Sequence, residues 1–290
     1  MFQWPTKFVL NLLVALSLSS TALVQAQTND LRQKALPAMS QTAKLLTSND
    51  YHKEPVNLNH ARSKDKLVQI DDFNLAGESY YARTDKLNAP YYRSFASAPK
   101  KILLRSFTAK KLQEVNAKLS PLGLELFIYD GFRPVTCQKD LWQYFLKQAK
   151  LAVPQGSEAE QIAYAARYCS NPTNYNHSDP RTWPTHCTGG AVDLTLRRKA
   201  TGELLYMGSI FDDDSEVSHT DYFETRTKPL SSSECEARGN RRLLYWVLKN
   251  SGFENYHYEW WHFDYGNQMW RMNKKASSQV SDEAFWGPAQ

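Results

Sequence analysis

THCTGGAVDL, residues 185–194, sets a carboxylate inside an otherwise apolar, strand-like run, GAVDLTL. A buried carboxylate costs several kcal/mol unless it is paired or bound to a cation, so Asp193 requires an explanation. His186 precedes it in the same stretch. A second stretch, EWWHF at 259–263, adds His262 with Glu259 three positions before it. Two imidazoles and a carboxylate are the ligand inventory of a catalytic zinc site. Three N/O ligands leave the fourth tetrahedral position open, and a neighbouring non-ligand carboxylate can take a proton from water there. A structural site would be closed by four protein ligands, usually with paired cysteines, and the sequence contains no CxxC. In a regular strand Glu259 and His262 would face opposite sides, so Glu259 is expected at the mouth of the strand or beside a bulge.

Around these two stretches the chain alternates irregularly between helix and strand signals. LVQIDDFNLAG from Leu67 and ESYYARTD from Glu78 read as strands, and Tyr80, Tyr81, Tyr91 and Tyr92 form an aromatic group suited to a core or a pocket wall. TAKKLQEVNAKL, 108–119, places Leu112, Val115 and Leu119 on one helical face behind a Thr108 cap. LELFIYD follows as a strand and runs into GFRP. Residues 136–150 read as a helix, and Ser157 with Glu160 opens another as a capping box. Residues 170–184 read as a polar loop with an exposed His177, and 233–250 as a long helix stopped at Gly252. Without regular strand-helix alternation or repeats, the expected fold is α+β: one domain with a small antiparallel sheet flanked by helices.

The first 26 residues have a positive Lys7, the apolar run FVLNLLVALSL and a small-residue site ending at Ala26, as in a cleaved export signal. The run is interrupted by Asn11 and is short for a membrane span, so no stable insertion is expected after cleavage. The expected division is signal peptide 1–26, N-terminal arm 27–64, catalytic domain 65–272 and C-terminal tail 273–290, with the product exported to a periplasm or secreted. The arm's His52 and His60 read as solvated. The net charge of +5 is spread along the chain, and no Lys/Arg block points to nucleic acid. Four cysteines in an oxidising compartment favour two disulfides, expected as Cys169 with Cys187 and Cys137 with Cys235; the first would be worth about 3 kcal/mol on chain entropy. The oligomeric state is not legible.

His186, Gly189, Ala191 and Asp193 fit the pattern SxHxxGxAxD, Glu259 and His262 fit ExxH, and YDGFRP at 129–134 fits a third block. Together with TGELLYMGSIFD and NRRLLYWVLKNSGFENYHYEWWHF, from about residue 65 to 270, they resemble the zinc D-alanyl-D-alanine dipeptidases within the LAS-type D,D-peptidases, peptidase family M15, which share a fold with Hedgehog domains. The resemblance implies one Zn2+ held by His186, Asp193 and His262, Glu259 as general base, Arg133 as oxyanion stabiliser and Asp212 as the partner of the substrate's ammonium. The implied substrate is a small D-amino-acid dipeptide from peptidoglycan metabolism. A D,D-carboxypeptidase acting on longer muropeptides, or a zinc protein without catalysis, are the rival readings. Asp212 disfavours the first, and Glu259 with Arg133 the second. Pro184 stands where the pattern has Ser and offers neither hydroxyl nor N–H, so either Thr185 contacts substrate in its place or the substrate preference departs from strict D-Ala-D-Ala. His219 reads as polar surface or an orienting residue, and Trp260 and Trp261 as packing.

Overall fold

The computed structural model describes residues 30–37, 50–166, 168–277 and 283–289. The expected signal, residues 1–26, lies outside them. Strands β1 (Leu67–Gln69) and β3 (Leu103–Arg105) form an antiparallel pair. The main sheet has five strands in the order β2 (Ala76–Gly77), β4 (Leu124–Asp130), β5 (Ala191–Arg198), β7 (His262–Asp264) and β6 (Glu254–Asn255). Only the β2–β4 pair is parallel, and the other neighbours are antiparallel. The helices are α1 (Ser106–Leu119), α2 (Val135–Ala152), α3 (Glu158–Ala165), α4 (Ser232–Lys249) and α5 (Gln268–Ser277). This is the expected α+β architecture.

Central β5 is buried from Ala191 through Leu196, as a strand covered on both faces must be. α1 buries Leu112, Val115 and Leu119, and α4 buries Leu243, Leu244, Val247 and Leu248, the faces their apolar spacing marks. Ser157 and Ser231 each close a capping box, with Glu160 and Glu234. Two local expectations are corrected. α1 begins at Ser106, so Thr108 is no cap; it is fully buried and its hydroxyl finds no partner. Residues 80–82 form a 3-10 turn rather than a strand, because Tyr80 and Tyr81 are both buried and a strand would send one of them outward.

The chain's ends pack onto this body. The turn Asp50–Lys53 lies against α5, and Trp286 is fully buried beside Phe285 and Trp270. Buried Arg105 donates to Thr188 O and Gly287 O, tying the C-terminal segment to the loop before β5. His60 stacks on Phe285 at 4.5 Å and caps a 3-10 turn, and the His52 ring lies tilted against Tyr51 at 3.9 Å; both are half-buried rather than solvated.

Candidate active site

Sheet register assembles the site. Asp193 lies opposite His262 on β7 and opposite Asp130 on β4. The second pairing depends on a bulge between Ile128 and Asp130: a regular ladder would set Tyr129 there, and the extra residue brings the carboxylate into the row. His186 arrives from the 3-10 turn Thr185–Thr188. That turn ends at Gly189 with φ 71°, where a Cβ would also stand 2.6 Å from the Leu67 side chain, so only glycine fits.

His186 Nε2 is 3.2 Å from His262 Nδ1 and 3.3 Å from Asp193 Oδ2, and His262 Nδ1 is 3.0 Å from Asp193 Oδ1. All three residues are at most 5 % exposed. The far nitrogen of each ring is committed: His186 Nδ1 to Gly131 O at 2.8 Å, and His262 Nε2 to Asp264 Oδ2 at 3.0 Å. Asp264, itself fully buried, accepts from Asn267 Nδ2 at 2.5 Å. These outer bonds fix the tautomers, so two lone pairs and a carboxylate converge on one point, within 4.8 Å of one another. Without a positive charge between them those donors repel. In the bare chain burial would push the His262 imidazole down, but Asp264 and Asp193 outweigh it and hold it well above its usual value. Burial likewise opposes ionisation of Asp193, yet the facing imidazoles hold its carboxyl well below the ordinary range. The donor set thus favours positive charge at that point, and the residues fit a three-ligand metal site. Truncating Asp264 to alanine should weaken metal affinity by roughly 10–100-fold, measured by competition with a chromogenic chelator.

Glu259 lies in the turn between β6 and β7. Its N–H donates to Tyr256 O, and its own carbonyl accepts from Asn255 Nδ2 at 3.0 Å. The strand begins only at His262, so the parity conflict resolves in favour of the strand mouth. Glu259 Oε2 is 3.7 Å from His262 Nδ1, and burial raises its carboxyl to about 8 despite the pull of His262. A nearby dication would draw that value down and free the carboxylate for proton transfer.

Arg133 follows Gly131, where a Cβ would clash with Leu103 O at 2.5 Å. Its guanidinium bonds Asp130 at 2.8 Å, Gln138 Oε1 and Tyr81 OH at 3.1 Å each, and Asp193 Oδ2 at 3.3 Å. The charge is fixed in place beside the cluster. Asp212 accepts from the hydroxyls of Tyr81 and Tyr91, both at 2.9 Å on Oδ2, and burial raises its carboxyl to about 7. Its backbone is left-handed, φ 57°, strain that functional residues tolerate where surrounding contacts enforce it.

His186, Asp193, His262, Glu259, Arg133, Asp212 and Thr185 all line one cavity of about 80 Å3, together with Pro184. Sequence reasoning missed Asp130, Asp264 and Asn267 as supports, and the tyrosine hydroxyls as partners of Asp212. The available signal for Asp264 was its i, i+2 spacing from His262, one face of a strand. Arg241 was missed as well: buried, it donates to the carbonyls of Met207, His219 and Val217 and so braces the chain on both sides of Asp212. His219 and His177 stay outside the cavity, the latter exposed. Trp260 and Trp261 are core residues.

The expected disulfides are absent. All four cysteines are free: Cys137 is buried on α2 while Cys235 is exposed at the start of α4. Cys187 Sγ faces Pro184 O at 2.9 Å, and Cys169 accepts from Gln138 Nε2 at 3.1 Å.

Residues 66–282 match the peptidase M15 family described as D-ala-D-ala dipeptidase. The chain belongs to that family. A D-alanyl-D-alanine dipeptidase of Enterococcus faecalis is 32 % identical over 155 residues, 53 % of this chain and 69 % of its own. One from Synechocystis is 27 % identical over 179 residues, 58 % of this chain and 71 % of its own. Among solved structures, a mutant vancomycin resistance D,D-pentapeptidase in complex with Zn(II) covers 66 % of this chain and 88 % of its own, at 14 % identity and a TM-score of 0.35. The D-ala-D-ala dipeptidase stretch contains all seven site residues named above. Tyr51 of the cavity wall lies outside it, in the segment that precedes.

Proposed function

We propose that this protein is a zinc metallopeptidase that hydrolyses D-alanyl-D-alanine, or a close D-amino-acid dipeptide, in cell-wall metabolism. The observation that carries this is one cavity holding a three-ligand candidate metal cluster, a non-ligand carboxylate and a separate half-buried acid. His186 Nε2, His262 Nδ1 and an oxygen of Asp193 would hold the zinc. When bound, zinc supplies a Lewis acid for the scissile carbonyl and lowers the pKa of water toward about 7.

The chain's own residues do the rest. Glu259 Oε2 takes the proton of the attacking water and later returns it to the leaving amine. Arg133, preorganised by Asp130 and Gln138, places positive charge where the oxyanion develops. Asp212 keeps Oδ1 for the substrate's α-ammonium while the two tyrosines occupy Oδ2. Thr185, on the wall beside His186, helps orient the bound dipeptide.

Asp212 also sets the length of the substrate. A half-buried carboxylate that pairs with an ammonium disfavours a blocked amine, because the acid then loses its charged partner and keeps only the two tyrosine hydroxyls. Free D-Ala-D-Ala should be cleaved, and its N-acetylated form cleaved at least about a hundredfold more slowly, a penalty of about 3 kcal/mol for the lost charged partner. Asp212→Asn should mainly raise KM for the free dipeptide. Equal cleavage of both forms would instead favour a carboxypeptidase.

Export is a companion proposal, supported by the positive, apolar and small-residue pattern of residues 1–26. Such an enzyme would meet dipeptides outside the inner membrane. N-terminal sequencing of the mature protein should begin near Gln27, and a solely cytoplasmic, uncleaved form would refute it.

A further inference from the structure

One wall of the cavity comes from the N-terminal arm. Tyr51 is 3 % exposed; its hydroxyl donates to Trp183 O and lies 3.2 Å from Ser170 Oγ, and both Tyr51 and Ser170 line the cavity. The turn that carries it is pinned by α5. Gln268 Nε2 donates to His52 O and Glu54 O, and Arg271 pairs with Glu54 at 2.6 Å. Tyr51 is therefore placed by tertiary anchoring as firmly as a residue of the sheet.

Contacts order the cavity from end to end. Asp212 touches Tyr81, Tyr81 touches Arg133, and Arg133 touches Asp193 of the metal cluster. Beyond His262, the Tyr256 ring lies 5.8 Å away and packs on the group formed by Tyr51, Met269 and Met272. Tyr51 thus adjoins the cluster on its His262 side, and Asp212 adjoins it on its Arg133 side. On the dipeptidase reading, with the ammonium at Asp212 and the scissile carbonyl at the cluster, the C-terminal residue must extend toward Tyr51.

A carboxylate arriving there needs donors. Arg133, assigned to the oxyanion, is held in that place by Asp130, Gln138, Tyr81 and Asp193, and Pro184 has no N–H or hydroxyl to give. The hydroxyls of Tyr51 and Ser170 face the same cavity, and the Tyr51 proton, donated to Trp183 O in the free protein, can turn toward a ligand. We propose that Tyr51 and Ser170 receive the C-terminal residue of the dipeptide, their hydroxyls donating to its carboxylate and the Tyr51 ring limiting its side chain. This inference rests on the dipeptidase reading, but it assigns the carboxyl side to a segment outside the family's matched stretch.

The test compares wild type, Tyr51→Phe, Ser170→Ala and Tyr51→Ala, zinc-loaded and matched in metal content and Tm, on D-Ala-D-Ala and D-Ala-D-Phe. Tyr51→Phe and Ser170→Ala should each raise KM for D-Ala-D-Ala about tenfold with kcat within about twofold, the size of a lost hydrogen bond to a charged group. In a Glu259→Gln background the Kd of D-Ala-D-Ala by calorimetry should rise by the same factor. Tyr51→Ala should shift kcat/KM toward D-Ala-D-Phe by about tenfold, as removal of a packed wall admits a larger group. An active wild type with unchanged KM and Kd in Tyr51→Phe, or an unchanged substrate ratio in Tyr51→Ala, overturns this inference alone. A wild type inert toward both dipeptides overturns it together with the dipeptidase reading.

Discussion

Replacing Glu259 by glutamine should lower D-Ala-D-Ala hydrolysis by about a thousandfold while zinc remains bound at one per chain. Glutamine keeps the shape of the turn residue, and the contacts that hold that turn are made by the backbone: Glu259 N–H to Tyr256 O and Glu259 O from Asn255. The ligands belong to other residues, so metal affinity has no reason to fall. What disappears is the carboxylate beside His262 that can accept the proton of the attacking water and then surrender it. Metal analysis of the same sample separates this result from a collapsed site. Loss of zinc in parallel with activity would show that Glu259 is a ligand instead.

Removing His262 should have a still broader effect: His262→Ala is expected to lose stoichiometric zinc and to fall to background activity. Among the described residues three protein donors converge, so the loss of one leaves a two-ligand site that cannot retain a catalytic metal. The same change takes from Asp264, which is fully buried, its imidazole partner and leaves it Asn267, and leaves Asp193 facing Arg133 and His186. Removing one partner of a buried charged pair is destabilising, so Tm should fall along with activity. Chelation of the wild type should reproduce the loss of activity without that loss of a partner. Zinc binding undiminished in His262→Ala would contradict this ligand set.

The metal cluster was legible in the sequence because its donors sit where such groups are costly. Asp193 interrupts an apolar strand, and ExxH places a second carboxylate within one turn of a histidine. Legibility ended where roles depend on tertiary register. The bulge that carries Asp130 opposite Asp193 has no local signature, and Asp264 reads as an ordinary acid after an aromatic run. Tyr81 and Tyr91 read correctly as pocket wall, yet nothing in their spacing reveals that their hydroxyls share one oxygen of Asp212. Strand β2, two residues long and paired in parallel across a long connection, is too short for periodicity to register.

The cysteines and the arm show the same limit from another side. An even cysteine count in a chain expected to be exported argues for bridges, but pairing is decided by where helices deliver each thiol, and here α2 and α4 deliver one buried and one exposed. The arm's histidines read as surface because their stretch is polar, whereas Phe285 and Tyr51 supply the rings they lie against. Each of those partners lies outside the strongly patterned region.

The central claim is that one zinc at His186, Asp193 and His262 enables Glu259 to cut a D,D-dipeptide. The most direct measurement is D-alanine release from D-Ala-D-Ala as zinc is titrated into chelated protein, alongside Glu259→Gln. Release should rise linearly and saturate at one zinc per chain, with the variant binding the same single zinc and releasing almost nothing. Release that survives chelation, or that is unchanged in the variant, would contradict the account.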